Sequence, residues 1–220
     1  MRLALILVLF LIAISVRAQV DLFEGLIGCY NLNGTAEDSS PSGEHGIVHG
    51  AVPTTDRFGR PNSAFYFNGN SYIDISSEHL RNSSYSYSVW AKVTTNPFSG
   101  GSGIIFSIGD ENDSKHQTIN VSNVYANDGF VGWNVGGYNN GFPTTTSLQS
   151  FQMPILNQWY HLVITRDNAV MKMYIDGLLI AEGSTNGNEP YYGTETNAML
   201  GMRCNFTQPL RGAIDDFVIY

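Results

Sequence analysis

Residues 159–183 carry the clearest alternation of apolar and polar side chains in the chain. Residues 160–165 are rich in β-branched and aromatic side chains, and residues 170–175 alternate methionine and isoleucine with valine, lysine and tyrosine. Asp176-Gly177 predicts a two-residue type I′ turn, because both central positions of that turn take positive φ. The pattern predicts a three-stranded meander, and its apolar side needs a facing sheet.

Similar short strands recur along the rest of the chain at a spacing typical of a sandwich or barrel. No segment has the periodicity of an amphipathic helix. The sequence therefore predicts an all-β fold. The other predicted strands are residues 26–32, 47–49, 64–68, 71–76, 85–93, 104–109, 118–125, 129–135, 198–204 and 212–220.

The composition and net charge of the chain limit the classes of molecule that it can bind. The chain has 220 residues, of which 43% are hydrophobic and 14% charged, so one domain can bury a core that offsets chain entropy. The net charge is −8 with only 11 Lys and Arg. Nucleic acids and anionic membranes bind clustered cations, so this balance argues against both as partners.

The first 18 residues have the pattern of a secretion signal. Arg2 precedes an apolar run at residues 3–16, and Val16 and Ala18 are small residues suited to cleavage after Ala18. The run is shorter than the ~20 residues of a spanning helix, so we expect cleavage rather than a membrane anchor. The predicted organisation is a signal peptide at 1–18, a leader at 19–25 and one domain at 26–220. The mature protein is then extracellular or at the cell surface, without membrane insertion.

The chain contains two cysteines, Cys29 and Cys204. In an exported protein such a pair is interpreted first as a disulfide. Two buried free thiols are the alternative that the residues leave open.

Five segments in order resemble the laminin-G-like, concanavalin A-like jelly rolls. The meander reads W-Y-H-L-V-I-T-R-D-N-A-V-M-K-M-Y-I-D-G, and the final strand L-R-G-A-I-D-D-F-V-I-Y. The other three are L-I-G-C-Y-N-L-N-G with D-S-S-P-S-G-E-H-G after it, A-F-Y-F-N-G-N-S-Y-I-D-I, and Y-S-Y-S-V-W-A-K-V. Together they cover nearly all of the chain after the signal segment.

This resemblance implies two antiparallel sheets packed as a jelly-roll sandwich. It places the first and last strands near each other and thereby supports the disulfide between Cys29 and Cys204, which many members carry. Members usually continue past the final tyrosine with a short helical tail, so a segment following Tyr220 is a further expectation.

An enzyme on this fold would need a pair of catalytic carboxylates. Laminarinase-type relatives place them on one strand as E-x-D-x-(x)-E, and Glu111-Asn112-Asp113 begins that motif. Lys115 and His116 occupy the positions of the second glutamate. Asp215 and Asp216 are adjacent, so a regular strand would point them to opposite faces. The sequence therefore predicts no catalytic residues.

A calcium site is the metal hypothesis that the residues favour. Calcium takes several hard oxygen ligands, and the loop from Asp38 to Gly46 is rich in turns that expose carbonyl groups. In the implied fold this loop lies close to the last strand, which would bring Asp38 and Asp215 together. The alternative is that Asp38 caps a turn and Asp215 bonds the backbone. If calcium is bound, EDTA should lower the melting temperature.

A glycan site is predicted at Trp133, Tyr138 and Asn139, which combine aromatic and amide side chains near a glycine-rich loop. Sugars stack on exposed aromatic rings, while amides bind their hydroxyl groups. The alternative is that these aromatic side chains fill the sandwich.

The sequence thus predicts a secreted, non-catalytic recognition module that binds a glycan or an extracellular protein, with calcium as the candidate cofactor. Two alternatives remain. One is a glycoside hydrolase or the accessory domain of one, and the other is a protein-binding or structural surface module.

Overall fold

The structure is a computed structural model that describes residues 21–78, 80, 83–96, 102–110, 115–123, 131–139, 142–143, 147–184 and 196–220. Side chains are not described at 115–116, 122–123, 131, 138–139 and 142–143. None of the described residues belongs to a helix of the length and apolarity needed to cross a membrane.

The described residues form sixteen strands. They are β1 (Gly28–Tyr30), β2 (Ile47–His49), β3 (Val52–Thr54), β4 (Ala64–Asn68), β5 (Tyr72–Ile75), β6 (Ser84–Val93), β7 (Ser102–Gly109), β8 (Lys115–Asn123), β9 (Val131–Asn139), β10 (Phe142–Pro143), β11 (Leu148–Gln149), β12 (Trp159–Asp167), β13 (Val170–Ile175), β14 (Leu178–Ser184), β15 (Asn197–Leu200) and β16 (Arg211–Ile219).

Two antiparallel sheets hold these strands, which confirms the predicted all-β jelly-roll sandwich. The first sheet has the order β14-β13-β12-β6-β16-β4-β3, and β1 pairs with β16. The second sheet has the order β10-β9-β8-β7-β15-β5-β2, and β11 pairs with β9. Neighbours that are distant in sequence, such as β6 between β12 and β16, show that the connections cross between the sheets.

The core lies between the two sheets and follows from alternation along each strand. On β6, the side chains of Tyr85, Tyr87, Val89, Ala91 and Val93 are buried, while those between them are partly exposed. Inward side chains on one face and polar side chains on the other are the expected result of a sheet with one buried face. The strand predicted at residues 85–93 is confirmed.

The meander predicted at 159–183 is present. Asp176 and Gly177 have φ of 50° and 79°, as a type I′ turn requires, and β13 has the predicted bounds. β12 runs to Asp167, beyond its predicted end, because Asn168 takes a φ of 42° and closes the hairpin in two residues.

The predicted disulfide is not formed, since Cys29 and Cys204 are free cysteines. On β1, Gly28 and Tyr30 are buried and face the core, whereas Cys29 between them is partly exposed and faces the other way. Cys204 lies between β15 and β16, and its thiol contacts the Ser107 hydroxyl at 3.2 Å. Ser107 lies between the core residues Phe106 and Ile108 on β7, so its side chain points to the outer face of the second sheet. Cys204 contacts it there and covers that face. The sandwich therefore separates the two thiols.

Candidate functional site

The prediction that Trp133 forms an exposed glycan-binding platform is wrong. Trp133 is 2% exposed and belongs to the core, where its ring meets Tyr160 edge-on with centroids 5.7 Å apart. On β9 the core side chains are Trp133 and Val135, and Asn134 between them points away from the first sheet. Burial of both ring faces leaves no surface on which a sugar can stack.

Tyr138 and Asn139, predicted in the same site, lie on β9, and their backbones pair with β8 and β10. Their side chains lie outside the described part of the structure, so this part of the prediction stays open. Of the carboxylate motif considered above, Glu111 and Asp113 also lie outside the described residues. Lys115 and His116 are described only by their backbones, at the start of β8.

Asp38 holds its own loop together. Its carboxylate accepts hydrogen bonds from the backbone N–H groups of Cys29, Ser40 and Glu44 and from the hydroxyls of Ser40 and Ser42, at 2.7–3.1 Å. Burial opposes ionisation of the carboxyl, but the hydrogen bonds from Ser40 and Cys29 outweigh it and lower the pKa of Asp38. The capping role considered for Asp38 is what the structure shows.

Asp215 and Asp216 both contact Arg57. Nη1 of Arg57 lies 2.6 Å from Oδ2 of Asp215, and Nη2 lies 2.7 Å from Oδ2 of Asp216. The prediction that adjacent residues face opposite ways is wrong here, because β16 carries a β-bulge against β6 between Asp215 and Val218, and Asp216 has a φ of 44°. The bulge presents two carboxylates on the outer face of the first sheet.

These two carboxylates differ in their exposure. The Asp215 side chain is 2% exposed and the Asp216 side chain 33%. Burial, followed by the negative charge of Asp216, raises the pKa of Asp215 to about 6, although Arg57 opposes the shift. Asp215 is therefore a buried anchor for Arg57 on this outer face, and Asp216 is the carboxylate that a ligand can reach.

Arg57 is also part of a stack of rings on this face. Its guanidinium lies 4.4 Å from the ring of Phe58 and 4.6 Å from that of Trp90, and Trp90 stacks on His161 with centroids 4.9 Å apart. Trp90 and His161 are a directly opposed pair on β6 and β12, which fixes their parallel rings. Nε2 of His161 lies 2.8 Å from the Ser88 hydroxyl, and burial lowers the pKa of His161.

Phe58 ends the stack and is 68% exposed. It sits in a turn that Asp56 closes, because the Asp56 carboxylate accepts hydrogen bonds from the backbone N–H groups of Phe58 and Arg60 at 2.8 Å. The guanidinium of Arg60 also contacts the Asp56 carboxylate at 2.6 Å. We call Arg57, Phe58, Trp90, His161 and Asp216 together the Phe58 surface. It combines an exposed ring with charged hydrogen-bonding groups on one sheet face.

The two predicted calcium ligands have separate partners. Tyr30 pairs with Asp38 on one side and with Phe217 on the other, so β1 lies between Asp38 and β16. The described residues contain no group of three or more His, Cys, Asp or Glu side chains able to hold a metal ion. Calcium prefers six to eight oxygen ligands, and its binding here stays a prediction that chelation tests.

Comparison with known proteins identifies the fold independently. The family model described as the concanavalin A-like lectin/glucanases superfamily matches residues 67–220. No curated protein sequence matches the chain.

Solved structures with this fold come from proteins of several kinds. Domain 4 of AbnA, a GH43 extracellular arabinanase from Geobacillus stearothermophilus in complex with arabinotriose, is 22% identical with a TM-score of 0.68 and covers 89% of this chain and 91% of that one. The binding domain of Paraclostridial Mosquitocidal Protein 1 is 18% identical with a TM-score of 0.64 and covers 91% of this chain. The chain spans 49% of that domain, and this similarity concerns the fold alone.

A botulinum neurotoxin type C structure, whose cell entry is described as dependent upon interaction with two ganglioside molecules, is 17% identical with a TM-score of 0.59. It covers 90% of this chain, which spans 48% of the toxin chain. Together with the AbnA domain, it shows the fold in proteins whose described ligands are carbohydrates or glycolipids.

Proposed function

Because the chain belongs to the concanavalin A-like lectin/glucanase superfamily, we propose that it is an exported, non-catalytic carbohydrate-recognition module. Two similar structures support the ligand class, since one contains arabinotriose and the other is described with gangliosides. The fold by itself hosts many functions, so the proposal rests on a specific surface of this chain.

The observation that carries the proposal is the Phe58 surface. Phe58 offers a ring that is 68% exposed, and the partly exposed Asp216 carboxylate lies against the same Arg57 guanidinium as that ring. An exposed ring packs against the C–H groups of a sugar, and ionised side chains form strong hydrogen bonds with its hydroxyls. Both kinds of group are anchored by contacts within the protein, which lowers the entropy lost on binding.

The same geometry supports a binding role over hydrolysis. Glycosidases need one protonated carboxyl and one free carboxylate on either side of the bond that breaks. Asp215 is almost fully buried, and Arg57 binds both Asp215 and Asp216. These two carboxylates are thereby committed to one cation, and Asp215 has little access to a substrate.

The proposed function is tested by screening the purified domain, residues 21–220, against a glycan array that includes arabino-oligosaccharides. Wild-type protein should bind at least one glycan saturably, and Phe58→Ala should weaken that binding about tenfold or more, as truncation of a central aromatic contact does. Phe206→Ala is the matched control. Phe206 is 51% exposed but contacts Tyr72 of the second sheet, so its loss should leave affinity unchanged.

An array without any bound glycan would reject the proposed function and favour a protein-binding or structural role. Binding that is equal in wild type and Phe58→Ala would reject the site while keeping the ligand class.

The similarity to domain 4 of a multidomain arabinanase also supports a role as the accessory domain of a glycoside hydrolase. In that case the bound glycan should be the substrate polymer of the hydrolase.

Export is part of the proposal. The signal segment at 1–18 lies outside the described residues, and its pattern of one basic residue, an apolar run and a small-residue cleavage site supports secretion. Removal of Arg2 and Arg17 with the signal would leave a mature charge of −10. An acidic protein of this kind favours neutral or cationic glycans over strongly sulfated ones.

A further inference from the structure

A lysine lies beside the Phe58 surface on the same face of the first sheet. Lys92 follows Trp90 by two residues on β6, and both side chains are partly exposed, while the residues on either side of Lys92 are buried in the core. Residues two apart on a strand point to the same face and lie roughly 6–7 Å apart. A ligand that covers the Phe58 surface can therefore reach Lys92.

An aromatic ring of the neighbouring strand holds the ammonium group of Lys92 in place. Trp159 is directly opposite Lys92 in the pairing of β12 with β6, and Nζ of Lys92 lies 4.8 Å from the centroid of the Trp159 ring. This cation–π contact favours one position of a long side chain that otherwise rotates freely. The charge is thus positioned in advance, which lowers the entropy lost when an anion binds to it.

No acidic side chain of the described residues forms an ion pair with Lys92. The two carboxylates on the adjacent strand β16, those of Asp215 and Asp216, both contact Arg57. They are therefore already paired with another cation. The positive charge of Lys92 is left without a counter-ion from within the described part of the protein.

Arg211 adds a second positive charge in the next row of this face. Ala213 pairs with Lys92, and Arg211 precedes Ala213 by two residues on β16, while Ile214 between the outward positions belongs to the core. Lys92 and Arg211 are thus diagonal neighbours, with Cα atoms roughly 7–8 Å apart. Arg211 is exposed and likewise has no ion pair with any residue that the structure describes. Two uncompensated cations therefore adjoin the Phe58 surface in a chain whose net charge is −8.

We propose that the glycan bound at the Phe58 surface is acidic and that one of its sugar carboxylates pairs with Lys92. This inference rests on the proposed function, because it names the ligand class of the same site. An ammonium group and a carboxylate form charge-assisted hydrogen bonds, which are roughly twice as strong as neutral ones. Arg211, one row further along the sheet, attracts the same anionic chain. The net charge of the protein disfavours densely sulfated polymers, so the ligand is an oligosaccharide that contains uronic acid.

The test compares acidic oligosaccharides with the same molecules after their charge has been removed. Oligomers of galacturonate, glucuronate, mannuronate and guluronate are arrayed beside their methyl esters and beside neutral oligosaccharides. At least one uronate oligomer should bind wild-type protein saturably, and its methyl ester should bind about tenfold more weakly, because it cannot form the charged hydrogen bond. In calorimetric titrations, raising NaCl from about 50 mM to about 500 mM should weaken binding of the uronate oligomer, since salt screens surface ion pairs.

Lys92→Met and Lys172→Met form a matched pair of variants. Both lysines are partly exposed on the outer face of the first sheet, but Nζ of Lys172 already contacts the Glu182 carboxylate at 3.4 Å. Lys92→Met keeps an unbranched side chain against Trp159 and removes the charge. It should weaken binding of the uronate oligomer about tenfold and leave binding of the methyl ester unchanged, whereas Lys172→Met should change neither. Lys92→Arg should restore most of the affinity, and Phe58→Ala should weaken binding of both ligands.

Two results would overturn this inference while the proposed function stands. One is saturable binding of a neutral glycan that depends on Phe58, with no binding of any uronate oligomer. The other is a uronate oligomer whose affinity is unchanged by methyl esterification or by Lys92→Met, in a variant as stable as wild type. An array on which neither neutral nor acidic oligosaccharides bind would overturn the proposed function and this inference together.

Discussion

At the scale of single residues, the main feature of the molecule is one guanidinium that binds two adjacent carboxylates. Arg57 is 16% exposed and lies between the buried Asp215 and the rings of Phe58 and Trp90. A buried carboxylate is costly unless it is paired, so Asp215 fixes the position of Arg57 as much as Arg57 stabilises Asp215. The exposed Phe58 ring is positioned by the same contact.

Asp215 should make stability depend on pH in a direction opposite to that of most carboxylates. Its folded-state pKa is raised from 3.8 to about 6 by burial and by Asp216, so it stabilises the fold below pH 4 and loses that contribution as pH rises through 6. Relative to Asp215→Asn, the wild-type free energy of unfolding should fall by about 2–3 kcal/mol between pH 4 and pH 6.

Urea denaturation at several pH values measures this difference, with Asp167→Asn as a control at an exposed carboxylate. Arg57, Asp216 and Asp56 are the charged groups that influence Asp215 and are unchanged in both proteins. A wild-type curve parallel to that of Asp215→Asn would show that Asp215 does not titrate in this range.

At the scale of elements, Gly212 lets β16 lie close to β6 because it has no side chain. A Cβ added at Gly212 would lie 2.2 Å from the Lys92 carbonyl oxygen, a backbone atom that cannot move without displacing β6. Gly212→Ala should therefore destabilise the domain by about 3 kcal/mol, in the range of overpacked cores. The measurement is the urea midpoint of the purified variant.

Gly103→Ala is the matched control, because Gly103 also lies in a strand and its added Cβ would meet Val121 at an ordinary 3.4 Å. It should change stability by less than about 1 kcal/mol. Equal losses in the two variants would show that the close approach of β16 to β6 is not the cause.

The sequence was informative about elements and less so about the site. The alternation in β6 and the Asp176-Gly177 turn predict the strands, because a regular pleat has a fixed period of two. The same rule misplaces Asp216, since a bulge breaks the period at that point. The polar Asn134 beside Trp133 was the signal that Trp133 faces inward. Trp90 and His161 lie on the more polar faces of their strands. Their contact could not be predicted, because it depends on the register between β6 and β12.

Arg57 and Phe58 could not be assigned from the sequence. They lie in a turn between β3 and β4, and their contacts are with residues about 30 to 160 positions later in the chain. Such contacts depend on the order of strands in the sheet rather than on local pattern.

At the scale of the whole molecule, the two thiols report on the packing of the sandwich. Labelling with a thiol reagent in denaturant without reductant should modify both Cys29 and Cys204, because neither is in a disulfide. In the native protein Cys204 should be protected, since it is 0% exposed, while Cys29 should react slowly, because burial and the nearby Asp38 raise its pKa. Mass spectrometry counts the labels, and an unlabelled denatured protein would mean that a disulfide joins the sheets.

Protection of Cys204 also bears on the oxidising environment expected for an exported protein. A thiol buried on the outer side of the second sheet is inert to oxidation until the segment around it opens. The predicted secretion is therefore compatible with a reduced Cys204.

The most direct test of carbohydrate recognition at the Phe58 surface is a calorimetric titration of the best array glycan into wild type, Phe58→Ala and Phe206→Ala. The structure predicts saturable binding to wild type and Phe206→Ala with equal affinity, and at least tenfold weaker binding to Phe58→Ala. Unchanged affinity in Phe58→Ala, with both variants as stable as wild type, would contradict the assignment of the ligand to this face of the first sheet.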